Sequence, residues 1–439
     1  MNPAASAVYP PEYEKAVYRK VIWRLIPFLF LCYIFAYVDR VNVGFAKLQM
    51  QHDIGISDAV YGTGAGIFFI GYFFFEVPCN IALQKIGAKF WLGPIMIVWG
   101  VVSACTMLVQ GQWSLYAVRF LLGIVECGFF PGVILYLTFW FTGKYRAKMV
   151  AAFMTAIPLS GLIGGPISGW ILDRMTSVGG LRGWQWLFIV EAVPSLLAGA
   201  ATMFFLCDNP AKAAWLDDAE RALLLQRLEE DEAGKRTAAD HQHRFVDAFR
   251  KPNVWLFCLI YFGVVTGNYG LQFWLPQIIK DTLSKDPFKI GLLTMIPWAV
   301  TAVTMVVVGH HSDKTGERCW HVGLSALAGG VGLAISAIPG ISGALGLLAL
   351  TLAAAGIISA SSTFWSLPTS YLSGTAASAG IAWINSVGNL GGQVGPLILG
   401  NIHGPNHSLT PALLLLACCC MMSAAITISF FRRRPVAVP

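Results

Sequence analysis

Four ionisable residues stand in runs that otherwise read as lipid-soluble, and their types and spacing set the chemistry. Arg119-Phe-Leu-Leu-Gly-Ile-Val-Glu126 lies inside an apolar stretch over residues 113–137. Seven residues turn a helix through roughly 700°, so Arg119 and Glu126 point the same way, about 10 Å apart along the axis. An ionised group in hydrocarbon costs at least ~2.5–3.5 kcal/mol, so both must look into protein or a wet cavity. Asp39-Arg40 forms a second acid–base pair in another apolar run. Successive residues diverge by about 100° around a helix, so one of the two faces a central cavity while the other meets a flanking helix. A single pair reads equally well as an ion pair tying helices together; two pairs favour a polar cavity between helices. Arginine stays charged when desolvated, and its planar fork grips a carboxylate through paired hydrogen bonds. The acids Asp39 and Glu126, in poorly solvated surroundings, are suited to exchanging protons. Arginines that hold an anion beside acids that carry protons are what proton-coupled anion transport requires.

The elements that must position these groups follow from composition. The chain has 439 residues, of which 56% are hydrophobic and 12% charged, with a mean hydropathy of +0.64. A soluble domain carries about a quarter charged residues, so an all-α, polytopic membrane protein is expected. Apolar windows of about 20 residues predict twelve transmembrane helices. The first six lie near 21–46, 59–82, 90–110, 113–137, 149–172 and 185–206, and the second six near 254–278, 288–310, 320–339, 343–367, 376–400 and 411–431. The expected organisation is a six-helix half over 1–206, a cytoplasmic linker over 207–252 carrying a surface helix near 216–232, and a second half over 253–439. The first 20 residues are polar, so no cleavable signal is expected. The net charge of +7 is spread between apolar spans rather than gathered in a stripe, which argues against nucleic acid. The ten cysteines show no metal-ligand spacing, His310-His311 and His241-x-His243 lack further ligands, and no nucleophile–base pair is present. Neither a metal, a cofactor nor an enzymatic reaction is expected.

Lysine and arginine outnumber themselves more than twofold on the side holding both termini. That side carries Lys15, Arg19, Lys20, Arg24, Lys85, Lys89, Lys144, Arg146, Lys148, Lys314, Arg318 and Arg432 to Arg434, against Lys47, Arg174, Arg182, Lys280, Lys285 and Lys289 on the other. The positive-inside rule therefore puts both termini in the cytoplasm. An internal repeat supports duplicated halves. Lys85-Ile-Gly-Ala-Lys89-Phe-Trp91 matches Lys314-Thr-Gly-Glu-Arg318-Cys-Trp320 at an offset of 229 (85 to 314), and Gly161 to Pro166 matches Gly391 to Pro396 at 230 (161 to 391). Such halves enclose a site near the bilayer midplane. In the repeated loops, Lys85, Lys89, Asp313 and Arg318 are candidates for a conformational latch, or else only enforce topology. Glu76 and Glu191 read as helix-contact residues. Tyr37, Tyr72, Asn268, Tyr269, Gln272, Trp365, Asn385 and Asn389 are the other polar or amphipathic groups in the spans.

These stretches resemble the major facilitator superfamily, and within it the anion:cation symporter family. The resemblance rests on Tyr37-Val-Asp39-Arg40-Val-Asn42, Gly71-Tyr72-Phe-Phe-Phe-Glu76-Val-Pro78, Arg119 to Pro131 and Trp383-Ile-Asn385-Ser-Val-Gly-Asn389-Leu-Gly-Gly392. It implies that Arg40 and Arg119 hold a substrate carboxylate, that Asp39 and Glu126 couple protons, and that Tyr37, Tyr72, Trp365 and Asn385 line the cavity. Some relatives carry a glutamine in span seven where this chain has Val264. The loop from Gly309 to Arg318 with Trp320-His321 is most similar to members handling tartrate, phthalate and hydroxyphenylacetate. The expected function is proton-coupled uptake of a small organic acid by a monomer in the inner (plasma) membrane. A proton-driven exporter of drugs or metabolites is the alternative, since Gly161 to Pro166 is similar to the glycine–proline motif of such antiporters.

Overall fold

A computed structural model describes residues 9–238, 252–371, 375–402 and 408–431. Among them every regular element is a helix. Twelve spans run in order: Pro11–Val41 continued by Val43–Asp53, Asp58–Ile86, Ala88–Cys105, Gln112–Glu126 continued by Phe129–Thr138, Gly143–Met154 continued by Ala156–Arg174, and Gly183–Phe205. The second half follows with Pro252–Thr282, Pro287–Thr315, Cys319–Ser336, Gly343–Phe364, Thr375–Asn389 continued by Gly391–Asn401, and Thr410–Phe431. Eleven are apolar and long enough to cross a bilayer as they stand. Span eleven is broken at Leu390 into pieces of 15 and 11 residues, each too short alone and long enough together.

The ends are set by local chemistry. Span one starts at Pro11, before the apolar run, because proline at the first helical position and Glu12 and Glu14 in the first turn suit a helix N-terminus. Ser57 Oγ accepts from the Val60 amide to cap span two, and Asp286 caps span eight through the Phe288 and Lys289 amides ahead of Pro287. The two repeated loops turn on glycines with positive φ, Gly87 at +91° and Gly316 at +68°, so the sequence repeat is a backbone repeat too. Between the halves a helix covers Asp218–Ala238, longer than the expected 216–232. It is docked on the first half by Lys20–Glu220 at 2.6 Å and Arg227–Glu14 at 2.9 Å, so this part of the linker is more than a solvated tether. His241, His243 and Arg432 to Arg434 lie outside the described residues.

The halves meet most extensively along two helix pairs, span five on span eight and span two on span eleven, with span seven also packed on Val43–Asp53. Glycine makes this approach possible. A Cβ on Gly169 would stand 2.5 Å from the Pro287 carbonyl oxygen, and one on Gly62 would stand 2.5 Å from that of Pro396. Both repeated glycine–proline segments, 161–166 and 391–396, belong to these seams. The seams lie toward the face that bears the odd-numbered connections, beginning with the turn at 54–57.

Candidate functional site: a charged seam between the halves

Span one breaks at Asn42, two residues past Arg40. Just before the break, Asp39 and Arg40 part company as their one-residue spacing dictates. Arg40 binds within its own half and across to the other: its Nε donates to Glu126 Oε1 at 2.7 Å, a second nitrogen reaches the same oxygen, and Nη1 donates to the Tyr269 hydroxyl of the second half at 3.1 Å. The guanidinium also lies over the rings of Tyr37, Phe68 and Tyr72, at 5.1, 5.4 and 6.0 Å from their centroids. Tyr37 Oη donates to Tyr269 Oη at 3.4 Å, a second bond between halves. Asp39 instead turns into the first half, where Trp99 Nε1, Ser103 Oγ and Ser195 Oγ donate to it at 3.0, 3.3 and 2.5 Å.

Arg119 and Glu126 share a face, both buried on Gln112–Glu126. Their partners differ. Glu126 is bound by Arg40, whereas Arg119 lies toward the odd-loop face between the rings of Phe68 in one half and Phe273 in the other, at 5.2 and 5.8 Å. Its single hydrogen bond is a long one, Nη2 to the Ala65 carbonyl at 3.3 Å; Nε has no partner, and no described carboxylate pairs with it although it is only 1% exposed. A buried, uncompensated guanidinium is costly by several kcal/mol, and an anion is what it lacks.

The remaining candidates fall elsewhere. Asn385 Nδ2 donates to Glu76 Oε1 at 2.8 Å, and Ser386 Oγ lies 3.4 Å from Glu76 Oε2, so this trio bridges spans two and eleven below the arginines. Trp365 packs edge-on against Tyr261 within the second half. Arg318 Nη1 pairs with Asp313 at 2.5 Å and Ser312 at 3.0 Å, closing the loop on itself, while Lys85 is exposed and Lys89 lies over Phe90. Lys47, which the sequence places outside, is 2% exposed. Its Nζ sits 3.2 Å from the Trp274 ring centroid and 2.8 Å from Asp58 Oδ1, and beside it Tyr61 Oη donates to the Phe273 carbonyl at 3.0 Å. Lys280 Nζ completes this closure by donating to the Leu48 carbonyl at 3.0 Å. A signal for Lys47 was available: it follows Arg40 by seven residues, the spacing that joins Arg119 to Glu126.

Comparison with known proteins agrees with this architecture. The model of the Major Facilitator Superfamily matches residues 29–396. A protein of Agrobacterium vitis named "Putative tartrate transporter" is 45% identical over 427 residues, covering 97% of this chain and 94% of its own. The quinolone resistance transporter of Acinetobacter baumannii is 40% identical, with 89% of each chain covered. Among solved structures, the bacterial homologue of the human lysosomal transporter Spinster superposes with a TM-score of 0.73 at 15% identity, covering 94% of this chain and 96% of that one, a likeness of fold. The chain belongs to the major facilitator superfamily, and is a multi-pass membrane protein that carries a small molecule as a secondary transporter.

Proposed function

We propose that the protein takes up a small organic carboxylate together with protons by alternating access. The observation that carries this reading is Arg119, a guanidinium buried between the halves that no carboxylate among the described residues pairs with. Arg40, seated beside Tyr37, Tyr72 and Tyr269, is the second grip on the substrate, and it is held by Glu126 in the absence of one. A substrate carboxylate and the Glu126 carboxylate compete for the same fork, so protonation of Glu126 frees Arg40 for the substrate. That competition is a physical route from proton binding to anion binding. Asp39, carrying three donated hydrogen bonds away from the anion site, is the second proton-exchanging group, and its occupancy sets how the first half packs around Ser195 and Trp99. Trp365 and Asn385 border the path from the even-loop face. Lys85, Lys89, Asp313 and Arg318 bias which face opens.

The bodies that rock are 1–206 and 253–439, joined by the linker 207–252. On this reading the odd-loop face is outside and both termini are cytoplasmic, as the lysine and arginine excess supports, and the protein works as a monomer in the inner membrane. The name of the Agrobacterium relative supports a hydroxydicarboxylate as the substrate. The test is uptake of labelled tartrate and other small acids into reconstituted vesicles, with and without an imposed pH gradient. Accumulation that a protonophore abolishes supports the reading; uptake indifferent to the gradient would remove the protons from it. A second reading, proton-driven export, draws on the quinolone resistance relative. Everted vesicles that accumulate a quinolone when energised, with no accumulation of an organic acid in vesicles of native orientation, would favour it.

A further inference from the structure

A small cavity lies outside the anion site, walled by span one, span five, span seven and span eight. It gives a water-sized particle about 20 Å³ to move in, room for one such particle. Asn42 and Ser168 from the first half, and Gln272 and Thr294 from the second, supply its polar walls. Asn42 is 1% exposed and Gln272 5%, yet both Asn42 amide atoms and Gln272 Oε1 are without a hydrogen-bond partner. Behind this wall stands Glu191, bonded by Ser168 Oγ at 2.6 Å on Oε1 and facing the Asn42 side chain.

The direction of the hydrogen bonds decides what fits. Ser168 spends its proton on Glu191, Thr294 donates to the Gly291 carbonyl, Ser160 donates to the Ile157 carbonyl, and Gln272 Nε2 donates to Asn268. The hydroxyl and Gln272 donors are committed elsewhere, so the cavity is offered oxygen lone pairs from two amide carbonyls and three hydroxyls, with the Glu191 carboxylate outside the lining, behind Ser168 and Asn42. Asn42 Nδ2 is the remaining donor, and the Glu191 carboxylate is its neighbour. That set repels an anion. It suits a hard cation, and the carboxyl groups of Glu191 and, farther off, Asp39 supply negative charge behind it.

We propose that this cavity binds a monovalent hard cation of sodium size. Its ligands come from both halves, so the site exists only while spans five and eight are closed on each other, and the bound ion stabilises that state. The inference is independent of which anion is carried.

The test is thermal unfolding of the detergent-solubilised full-length protein without substrate. Sodium chloride is titrated against choline chloride at constant ionic strength and pH. The expected result is a saturable rise in the midpoint of roughly a few degrees with sodium, and less with potassium. Gln272→Leu, which removes an acceptor from the second half, should weaken the apparent sodium affinity by about tenfold or more, and Glu191→Gln should do the same. A midpoint that ignores sodium and rises only on acidification would overturn the proposal in favour of a protonated Glu191 beside an ordered water. So would an undiminished sodium response in a folded Gln272→Leu variant. If neither variant folds, the titration of the unaltered protein still decides.

Discussion

Replacing Arg119 by methionine should do two opposite things at once. Arg119 is buried between Phe68 and Phe273 with one long hydrogen bond and no ion pair. The effective penalty for burying such an ion is several kcal/mol. Against it stand two ring contacts at about 0.5–2 kcal/mol each and one hydrogen bond of about 1 kcal/mol. Glu126, roughly 10 Å along the helix, would add about 1.7 kcal/mol at an effective dielectric of ~20, but Arg40 already neutralises it. A net cost of roughly 1–2 kcal/mol therefore remains in the empty carrier. Methionine keeps an unbranched apolar stem and removes the charge, so the substrate-free protein should melt roughly 1–4 °C higher. Carboxylate binding should fall by 100-fold or more, as two charge-assisted hydrogen bonds of about 1.5–3 kcal/mol each disappear. The assay is thermal unfolding in detergent across a panel of small acids, with uptake measured in parallel. An Arg119→Met protein that melts well below the unaltered one, yet is still stabilised by the same acids, would refute the account of Arg119 as an anion-starved cation.

Glu126→Gln, which keeps the shape and removes the charge, should leave Arg40 free. We expect substrate exchange across vesicles to persist while accumulation against a gradient is lost; retained proton-driven accumulation would show that Glu126 is not the carrier. Lys47→Met should loosen the odd-loop closure by about 1–2 kcal/mol, the range of a desolvated cation–π contact, which is about 5–30-fold in the open–closed equilibrium. Labelling of a cysteine introduced at Gln51, in a background with the native cysteines replaced, should accelerate accordingly, and an unchanged rate would mean that the Trp274 contact does not hold the face shut. Two glycines separate packing within a half from packing between halves. A Cβ on Gly123 would meet the Phe68 carbonyl oxygen within the first half, so Gly123→Ala should lower the folded yield. Gly62→Ala crowds Pro396 across the seam, so it should fold and bind but transport slowly. Equal yields and equal transport rates for the two variants would contradict that division.

What the sequence revealed and what it withheld have the same physical origin. Helical rotation is local, so the shared face of Arg119 and Glu126 and the divergence of Asp39 from Arg40 could be read from spacing alone. The twelve spans could be read too, because lipid demands a run of apolar side chains. Partner choice was not legible, since it depends on how whole helices are rotated against one another. Nothing within 86 residues of sequence separation says that Glu126 answers to Arg40 rather than to Arg119, its neighbour on the same face. Asn385 meeting Glu76, 309 residues away, was equally hidden. The burial of Lys47 was hidden for a different reason. A lysine at the end of an apolar run reads as a topological anchor, and only a partner from the other half, Trp274, turns it into a buried group.

On the proposed function, that last contact joins the gate to the anion site. Phe273 covers Arg119 and the next residue, Trp274, covers Lys47, while Tyr61 holds the Phe273 carbonyl between them. One dipeptide of span seven therefore desolvates two cations when the odd-loop face closes. Lys47 brings its own counter-charge in Asp58, so its burial is compensated whether or not substrate is present. Arg119 brings none, and its desolvation falls fully on the empty carrier. On the proposed function, a carboxylate on Arg119 removes that cost before Phe273 closes over it, so closure is easier with substrate than without. The bias has the sign a concentrating carrier needs at this face, and it arises from leaving one arginine without a protein partner.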